Sequence, residues 1–306
     1  MTRWTERARD LGRAVLLAAA VWLAGPLAAG AEPVQRSQGA LTVNGELLMA
    51  PERSLGDGVI LLVHGTLTHH RMDLIRGLQA GFAERGLNSL AVTLSLGIND
   101  RRGPYDCAVP HRHRHTDALG EIGGWIAWLK GKGVVSIALM GHSRGGNQVA
   151  WYAAEHDDPA VTRVILLAPL TADPAALRAE YRKRAGLSVE DLLARTKGRD
   201  DAALVEVPAF LTCGAGTASA AAARSYYGSE SRLDTPSLIA RIPVPTLVIA
   251  GSADRVVPGL PERIAALGEE GPAEFVLIDG ADHLFADLFT DEATDAVAAF
   301  LLGGQD

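Results

Sequence analysis

Short, continuous apolar runs alternate with longer amphipathic segments from residue 59 onward. Apolar runs of this length are typical of strands that are buried on both faces of a parallel sheet, and segments with a period near 3.6 are typical of helices. The pattern predicts strands at residues 59–63, 90–95, 134–140, 161–167, 246–250 and 274–278. It predicts helices at residues 71–85, 116–131, 145–155 and 284–302. Repeated strand–helix alternation indicates parallel βαβ units in an open α/β sheet.

Two segments depart from this alternation. Residues 39–50 predict a hairpin that turns at Asn44-Gly45, because this dipeptide favours a two-residue hairpin turn. Residues 171–240 are rich in Ala, Arg and Asp, and they predict several helices without a clear strand. An insertion after a strand's carboxyl end lies where ligands bind in α/β sheets, so we interpret this segment as a helical cap. A helical decoration that does not touch the site is the alternative.

The N-terminal residues 1–31 have the order of regions that is typical of a secretory signal peptide. Four arginines precede an apolar run at residues 14–24, and Ala29-Gly30-Ala31 resembles a cleavage site. We expect cleavage before Glu32 and export to the periplasm or the medium. The alternative, an uncleaved membrane anchor, is disfavoured because the run is shorter than the roughly 20 residues that cross a bilayer. No later segment is long and apolar enough to span a membrane.

The charge balance of the chain excludes one class of partner. Without residues 1–31 the chain has 25 basic and 34 acidic residues, which is a formal net charge of −9. A net acidic surface argues against nucleic acid as a partner.

Gly141-His142-Ser143-Arg144-Gly145 matches the pattern G-x-S-x-G and lies between a predicted strand and a predicted helix. In that context the serine occupies a tight turn that exposes its hydroxyl group, and the glycines allow the chain to pass close to its neighbours. The pentapeptide alone is a weak signal, and a plain strand-to-helix turn is the alternative. The context makes Ser143 a candidate nucleophile.

A serine hydroxyl group needs a base to remove its proton, and the base needs a carboxylate to orient it. Asp254 follows the predicted strand 246–250, and His283 follows the predicted strand 274–278. Both therefore fall at the same edge of the sheet as Ser143 and in the order serine, acid, histidine. We predict a triad of Ser143, His283 and Asp254, with Asp173 as the second choice for the acid.

Two main-chain N–H groups are expected to hold the oxyanion that forms when the serine attacks. One is the N–H of Arg144, which follows the nucleophile. The other belongs to the loop after the first buried strand, where we favour Thr66 and place Leu67 second. We expect His64 and His142 to be structural neighbours of the site rather than proton carriers.

The loop around residues 100–115 combines arginines with His111, His113 and His115. In an extended chain the three histidines face the same way, which leaves a metal site open, although no carboxylate or cysteine accompanies them clearly. A basic lip that favours an anionic substrate is a second interpretation. We favour a third, in which these are solvated charges paired with Asp117 and Glu121.

His64-Gly65, the pentapeptide at Ser143, Gly251-x-x-Asp254-x-x-Val-Pro258 and Gly280-x-x-His283 together resemble the α/β-hydrolase superfamily over roughly residues 58–302. The resemblance implies a doubly wound, mostly parallel sheet of eight strands, a triad that needs no metal or cofactor, and an acyl-enzyme intermediate. The tight turn at residues 141–145, called the nucleophile elbow in this superfamily, carries Ser rather than Asp. This residue weighs against haloalkane dehalogenase and epoxide hydrolase chemistry.

We therefore expect a catalytic α/β-hydrolase domain formed by residues 32–170 and 241–306, with the cap at 171–240. The expected substrate is a small carboxylic ester, with thioesters and amides behind it. A hydrolase-like fold that only binds a ligand is the rival class, and an intact triad disfavours it.

Cys107 and Cys213 are the two cysteines of the chain. An exported protein meets oxidising conditions, and both residues fall in segments expected to overlie the site. The sequence leaves two interpretations open, a disulfide that pins the cap or two separate buried thiols.

Overall fold

The computed structural model describes residues 30–171, 174–268 and 273–303. Of the predicted signal peptide, only Gly30 and Ala31 belong to the described residues. Asp173 lies outside the described residues. No helix in the described part of the chain is long and apolar enough to cross a membrane.

The main sheet has eight strands in the order β1-β2-β4-β3-β5-β6-β9-β10. The strands are β1 (Ala31–Gln38), β2 (Leu41–Leu48), β3 (Val59–Val63), β4 (Ser89–Thr93), β5 (Ile137–His142), β6 (Val161–Leu167), β9 (Thr246–Gly251) and β10 (Glu274–Ile278). β2 pairs antiparallel with β1 and β4, whereas every other neighbouring pair is parallel. The prediction of a mostly parallel eight-stranded α/β sheet is confirmed.

Helices cover both faces of this sheet. They are α1 (Asp73–Glu84), α2 (Asp117–Gly131), α3 (Arg144–Glu155), α8 (Leu260–Ala265) and α9 (Leu288–Leu302). α1 packs against α9, while α2 packs against α3, which lies on β5 and β6. All residues of β3, β4 and β5 are buried, because helices lie on each side of these central strands. This burial explains why their sequences read as continuous apolar runs.

The first hairpin turns at a different place from the one that we predicted. β1 and β2 are joined at Gly39-Ala40, where Gly39 has a φ of +56°, and Asn44-Gly45 lies inside β2 instead. Asn44 is buried there and donates hydrogen bonds to Asp100 and to the main-chain carbonyl of Arg101. Tertiary contacts therefore hold this dipeptide in a strand in spite of its preference for turns.

Residues 171–240 include strands as well as helices, so the expectation of helices alone is wrong. The helices are α4 (Pro174–Ala185), α5 (Val189–Ala194), α6 (Ala220–Tyr227) and α7 (Pro236–Ile239), and the strands are β7 (Leu204–Val207) and β8 (Gly216–Ser219). β7 and β8 form an antiparallel ribbon. The ribbon escaped prediction because its strands have four residues each and little apolar periodicity.

A disulfide joins this insertion to the loop that follows β4. Cys107 and Cys213 are bonded, with their Cα atoms 5.6 Å apart and a separation of 106 positions in sequence. The bond holds the insertion against the loop that leads to α2. Of the two interpretations that the sequence left open, the structure has the disulfide.

Replacing both cysteines should destabilise the fold. A cross-link over 106 residues removes conformational entropy from the unfolded chain, which is worth at most about 4–5 kcal/mol. Cys107→Ala/Cys213→Ala is expected to lower the free energy of unfolding in urea towards that limit, and a reducing agent should lower it in the wild type but not in the double variant. Equal unfolding midpoints for oxidised and reduced wild type would contradict the assignment.

Candidate active site

Ser143 lies in a tight turn between β5 and α3. Its backbone has φ 55° and ψ −121°, a conformation that non-glycine residues rarely adopt. A side chain at Gly141 would meet the carbonyl oxygen of Gly145 at 2.3 Å, and one at Gly145 would meet the carbonyl oxygen of His64 at the same distance. Glycine is therefore required on both sides of Ser143, as the G-x-S-x-G pattern indicated.

Asp254 and His283 reach Ser143 from neighbouring strand ends. Asp254 follows β9 and His283 follows β10, as the sequence predicted. His283 Nε2 lies 2.9 Å from Ser143 Oγ, and His283 Nδ1 lies 2.7 Å from Asp254 Oδ2. The three residues thus form a continuous hydrogen-bonded line in which the imidazole ring separates the hydroxyl group from the carboxylate.

The surroundings of Asp254 keep its carboxylate charged. Burial by itself would raise the pKa of this group, but the hydrogen bonds that the carboxylate accepts, with the one from His283 first, together lower the pKa below its usual value. The main-chain N–H groups of Val256 and Val257 donate to Oδ1 at 2.7 and 3.1 Å and act in the same direction. A carboxylate fixed in this way can hold the imidazole ring in one orientation.

His142 packs against His283. Its Nε2–H donates to the main-chain carbonyl of His283 at 2.8 Å, and the two rings lie 4.8 Å apart. Burial, together with the nearby His283, lowers the pKa of His142 to about 3, so its ring is neutral. The sequence placed His142 beside the site, but it held no signal for this hydrogen bond, since the partner is a main-chain atom distant in sequence.

Several main-chain N–H groups near Ser143 have no acceptor within the described chain. They include those of Thr66, Leu67 and Arg144. The Arg144 side chain links the two loops, because its Nε donates to Thr66 Oγ1 at 3.0 Å. The unpaired N–H groups include both predicted donors, and Leu67, with its φ of 57°, stays an alternative to Thr66.

His64 holds the loop that carries Thr66 in place. Its Nδ1–H donates to the carbonyl of Gly65 at 2.8 Å, and its Nε2 accepts from the N–H of Leu94 at 3.1 Å. Burial and the neighbouring Arg101 lower the pKa of His64, which keeps the ring neutral and able to accept. The structure therefore gives His64 the structural position that we expected.

The histidines of the loop 100–115 are not solvated, so the interpretation that we favoured is wrong. His111, His113 and His115 are each at most 1% exposed. They pack in an aromatic cluster with side chains from the loop, the insertion and α3, namely Tyr105, Phe210, Tyr226 and Trp151. No apolar run around these histidines indicated their burial, because most of the side chains that bury them come from elsewhere in the chain.

Asp117 and Glu121, which we expected to pair with the charged side chains of this loop, accept hydrogen bonds from different groups. Glu121 is buried and accepts hydrogen bonds from the N–H and the hydroxyl group of Ser95. Asp117 accepts from the N–H of Arg114, whose side chain pairs with Asp201 at 2.8 Å. No group of three or more metal-ligating side chains occurs in the residues that the structure describes, so the structure offers no support for the metal alternative.

The insertion lies against the site. The Tyr226 ring of α6 lies under the Arg144 guanidinium at 5.2 Å, and Asn147 of α3 donates to the carbonyl of Arg232 at 3.0 Å. These contacts disagree with the alternative of a decoration that is remote from the site.

Comparison with known proteins gives a consistent picture of the fold. The structure is similar to Est1E from Butyrivibrio proteoclasticus, at 20% identity and a TM-score of 0.63, over 89% of this chain and 98% of that one. It is also similar to the esterase Pf2001 of Pyrococcus furiosus, at 16% identity and a TM-score of 0.60, over 90% and 91% of the two chains. The esterase domain of a Rhodothermus marinus protein matches at 15% identity and a TM-score of 0.58, over 89% and 97%. No curated protein sequence matches this one.

The sequence profile of the alpha/beta hydrolase family matches residues 60–300, which span the elbow, the acid and the histidine. With this match and the eight-stranded sheet, the chain belongs to the α/β-hydrolase family, and it is a hydrolase.

Proposed function

We propose that this hydrolase cleaves a carboxylic ester through an acyl-enzyme on Ser143. The observation that carries the proposal is the hydrogen-bonded line from Ser143 Oγ through His283 to Asp254. The esterases among the similar structures support an ester as substrate. Thioesters and amides follow as substrates of the same chemistry.

In the first half of the reaction His283 Nε2 removes the proton from Ser143 Oγ as this oxygen attacks the ester carbonyl carbon. The tetrahedral intermediate collapses when the alkoxide leaves with the proton held by His283, and the acyl group stays on Ser143. In the second half His283 removes a proton from water as the water oxygen attacks the acyl carbon. The second tetrahedral intermediate then collapses, Ser143 Oγ leaves with the proton that His283 held, and the acid is released. Asp254 stabilises the imidazolium in both halves.

The oxyanion of both intermediates is held by the N–H of Arg144 and the N–H of Thr66. Both groups lack an acceptor in the described chain, so they are free to donate to a developing negative charge. Arg144 also begins α3, whose N-terminal end favours negative charge.

A protein that only binds a ligand is the rival function. Such a protein has no need of a strained serine that contacts a histidine, which itself contacts a buried carboxylate. The backbone strain at Ser143 supports catalysis, because strain of this kind is retained where the geometry is used.

We also propose that residues 171–240 cover the site as a cap and that the protein is exported. The contacts of the insertion with Arg144 and α3 support the first part. The order of regions in residues 1–31 and the disulfide support the second, because disulfides persist in oxidising compartments.

Ser143→Ala is expected to lower kcat for 4-nitrophenyl acetate by several orders of magnitude, because it removes the nucleophile. The circular dichroism spectrum and the thermal midpoint should stay close to those of the wild type. Wild-type turnover by this variant would remove Ser143 from the mechanism.

Asp254→Asn should reduce kcat by about 10⁴-fold, since the amide no longer orients or stabilises the imidazolium. Asp279→Asn is the matched control, because Asp279 follows the same strand as His283 but bonds to Ser252. Asp173→Asn should likewise have little effect. A larger loss in either control than in Asp254→Asn would move the acid.

Expression with residues 1–31 in a bacterial host is expected to give an exported protein that begins at Glu32. Intact-mass measurement of the periplasmic fraction checks the N-terminus. Recovery of the whole chain from the membrane fraction would favour an anchor instead.

A further inference from the structure

The guanidinium group of Arg144 lies beside the nucleophile and has only neutral neighbours. Its Nε donates to Thr66 Oγ1 at 3.0 Å, its Nη1 is 3.4 Å from His115 Nδ1, and its Cζ lies 5.2 Å from the Tyr226 ring centre. Burial lowers the pKa of His115 to about 3, so this ring is neutral and adds no charge next to the guanidinium group. The side chain is partly exposed, and Nη2 has no hydrogen-bond partner among the described residues.

Other arginines of this face have their charge or their donors satisfied. Arg102 pairs with Asp100 at 3.0 Å, and Arg114 pairs with Asp201 at 2.8 Å. Arg101 is buried but donates to three carbonyl groups, those of Leu94, Thr68 and Gly103. Neither Arg101 nor Arg144 has a salt-bridge partner in the part of the chain that the structure describes, but Arg144 differs from Arg101 because its Nη2 has no acceptor there.

A desolvated cation without a counter-ion is costly, and a bound anion removes that cost. The neighbouring rings remove part of the water around the guanidinium group, which strengthens its attraction for negative charge. An arginine fork binds a carboxylate with one or two charge-assisted hydrogen bonds. The free Nη2 is therefore an available donor on the residue that follows Ser143, in a side chain that also contacts Thr66.

We propose that Arg144 binds a carboxylate of the substrate, so that the preferred substrates are esters that carry a second, free carboxylate. The inference rests on the proposed ester hydrolysis and names its substrate class. A singly charged carboxylate fits better than a doubly charged phosphate, because one arginine faces it in a chain with an excess of acidic residues. The sequence left open a basic lip formed by the loop around residues 100–115. The proposal assigns anion binding to Arg144 instead, which lies in the elbow and not in that loop.

The test compares esters that differ only in charge. Mono-4-nitrophenyl glutarate and its methyl ester place the carboxylate on the acyl side, and 4-acetoxybenzoate and its methyl ester place it on the leaving-group side. The wild type is expected to prefer the acid of one pair, which also shows on which side the carboxylate lies. Arg144→Met should lower the ratio of kcat/KM between acid and methyl ester by about 10- to 100-fold.

Thr66→Val is the matched control, because it removes the hydrogen bond from Arg144 Nε but keeps the guanidinium group. It should lower kcat/KM for acid and methyl ester by the same factor. Arg144→Gln gives a second removal of the charge that keeps a polar side chain, in case the Met variant does not fold. An equal loss for acid and methyl ester in the Arg144 variants would overturn the proposal and leave Arg144 with a structural or oxyanion role.

A binding measurement separates this inference from the proposed function. Ser143→Ala should bind glutarate in a calorimetric titration, and adding Arg144→Met or Arg144→Gln should weaken that binding by at least about tenfold. If no ester is hydrolysed, ester hydrolysis fails as the function while glutarate binding still decides the role of Arg144. Absence of glutarate binding to Ser143→Ala, or binding unchanged by the second substitution, would overturn the inference.

Discussion

The turn between β5 and α3 brings the main chain so close to its neighbours that side chains at Gly141 and Gly145 would meet carbonyl oxygens at 2.3 Å. This close approach holds Ser143 at a φ of 55° and turns its hydroxyl group away from the sheet. It also directs the first N–H groups of α3 towards the same space. The positions of the proposed nucleophile and of the proposed oxyanion donor thus follow from one steric constraint, and the neighbouring strand ends add the remaining groups.

The parallel order of the central strands determines which residues can meet Ser143. β3, β5, β9 and β10 run in the same direction, so their carboxyl ends lie along one edge of the sheet. The loops after these strands carry Thr66, Ser143, Asp254 and His283. Residues separated by up to 217 positions in sequence therefore share one site.

The parts that could be predicted from the sequence have local causes. Buried strands appear as apolar runs, and the elbow needs glycines at fixed spacing, so β3, β6 and Ser143 could be located from residues alone. The hairpin at Asn44-Gly45 was misplaced because the buried Asn44 finds partners near residue 100, and these outweigh the local preference for a turn. His111, His113 and His115 were misjudged for a related reason. Histidine is a polar residue type, so the sequence indicates that these side chains are exposed to solvent. Aromatic side chains from the insertion bury them instead.

The most direct test of the account is to identify the residue that a mechanism-based reagent modifies in the wild-type protein. A fluorophosphonate forms a covalent bond only with a serine whose proton a base removes, so it reports the activated state of the nucleophile. Peptide mass spectrometry after digestion is expected to find one adduct, on Ser143, and denaturing the protein beforehand should abolish it. An adduct on another serine, or no adduct on the folded protein, would contradict the assignment of Ser143, His283 and Asp254 as a catalytic triad.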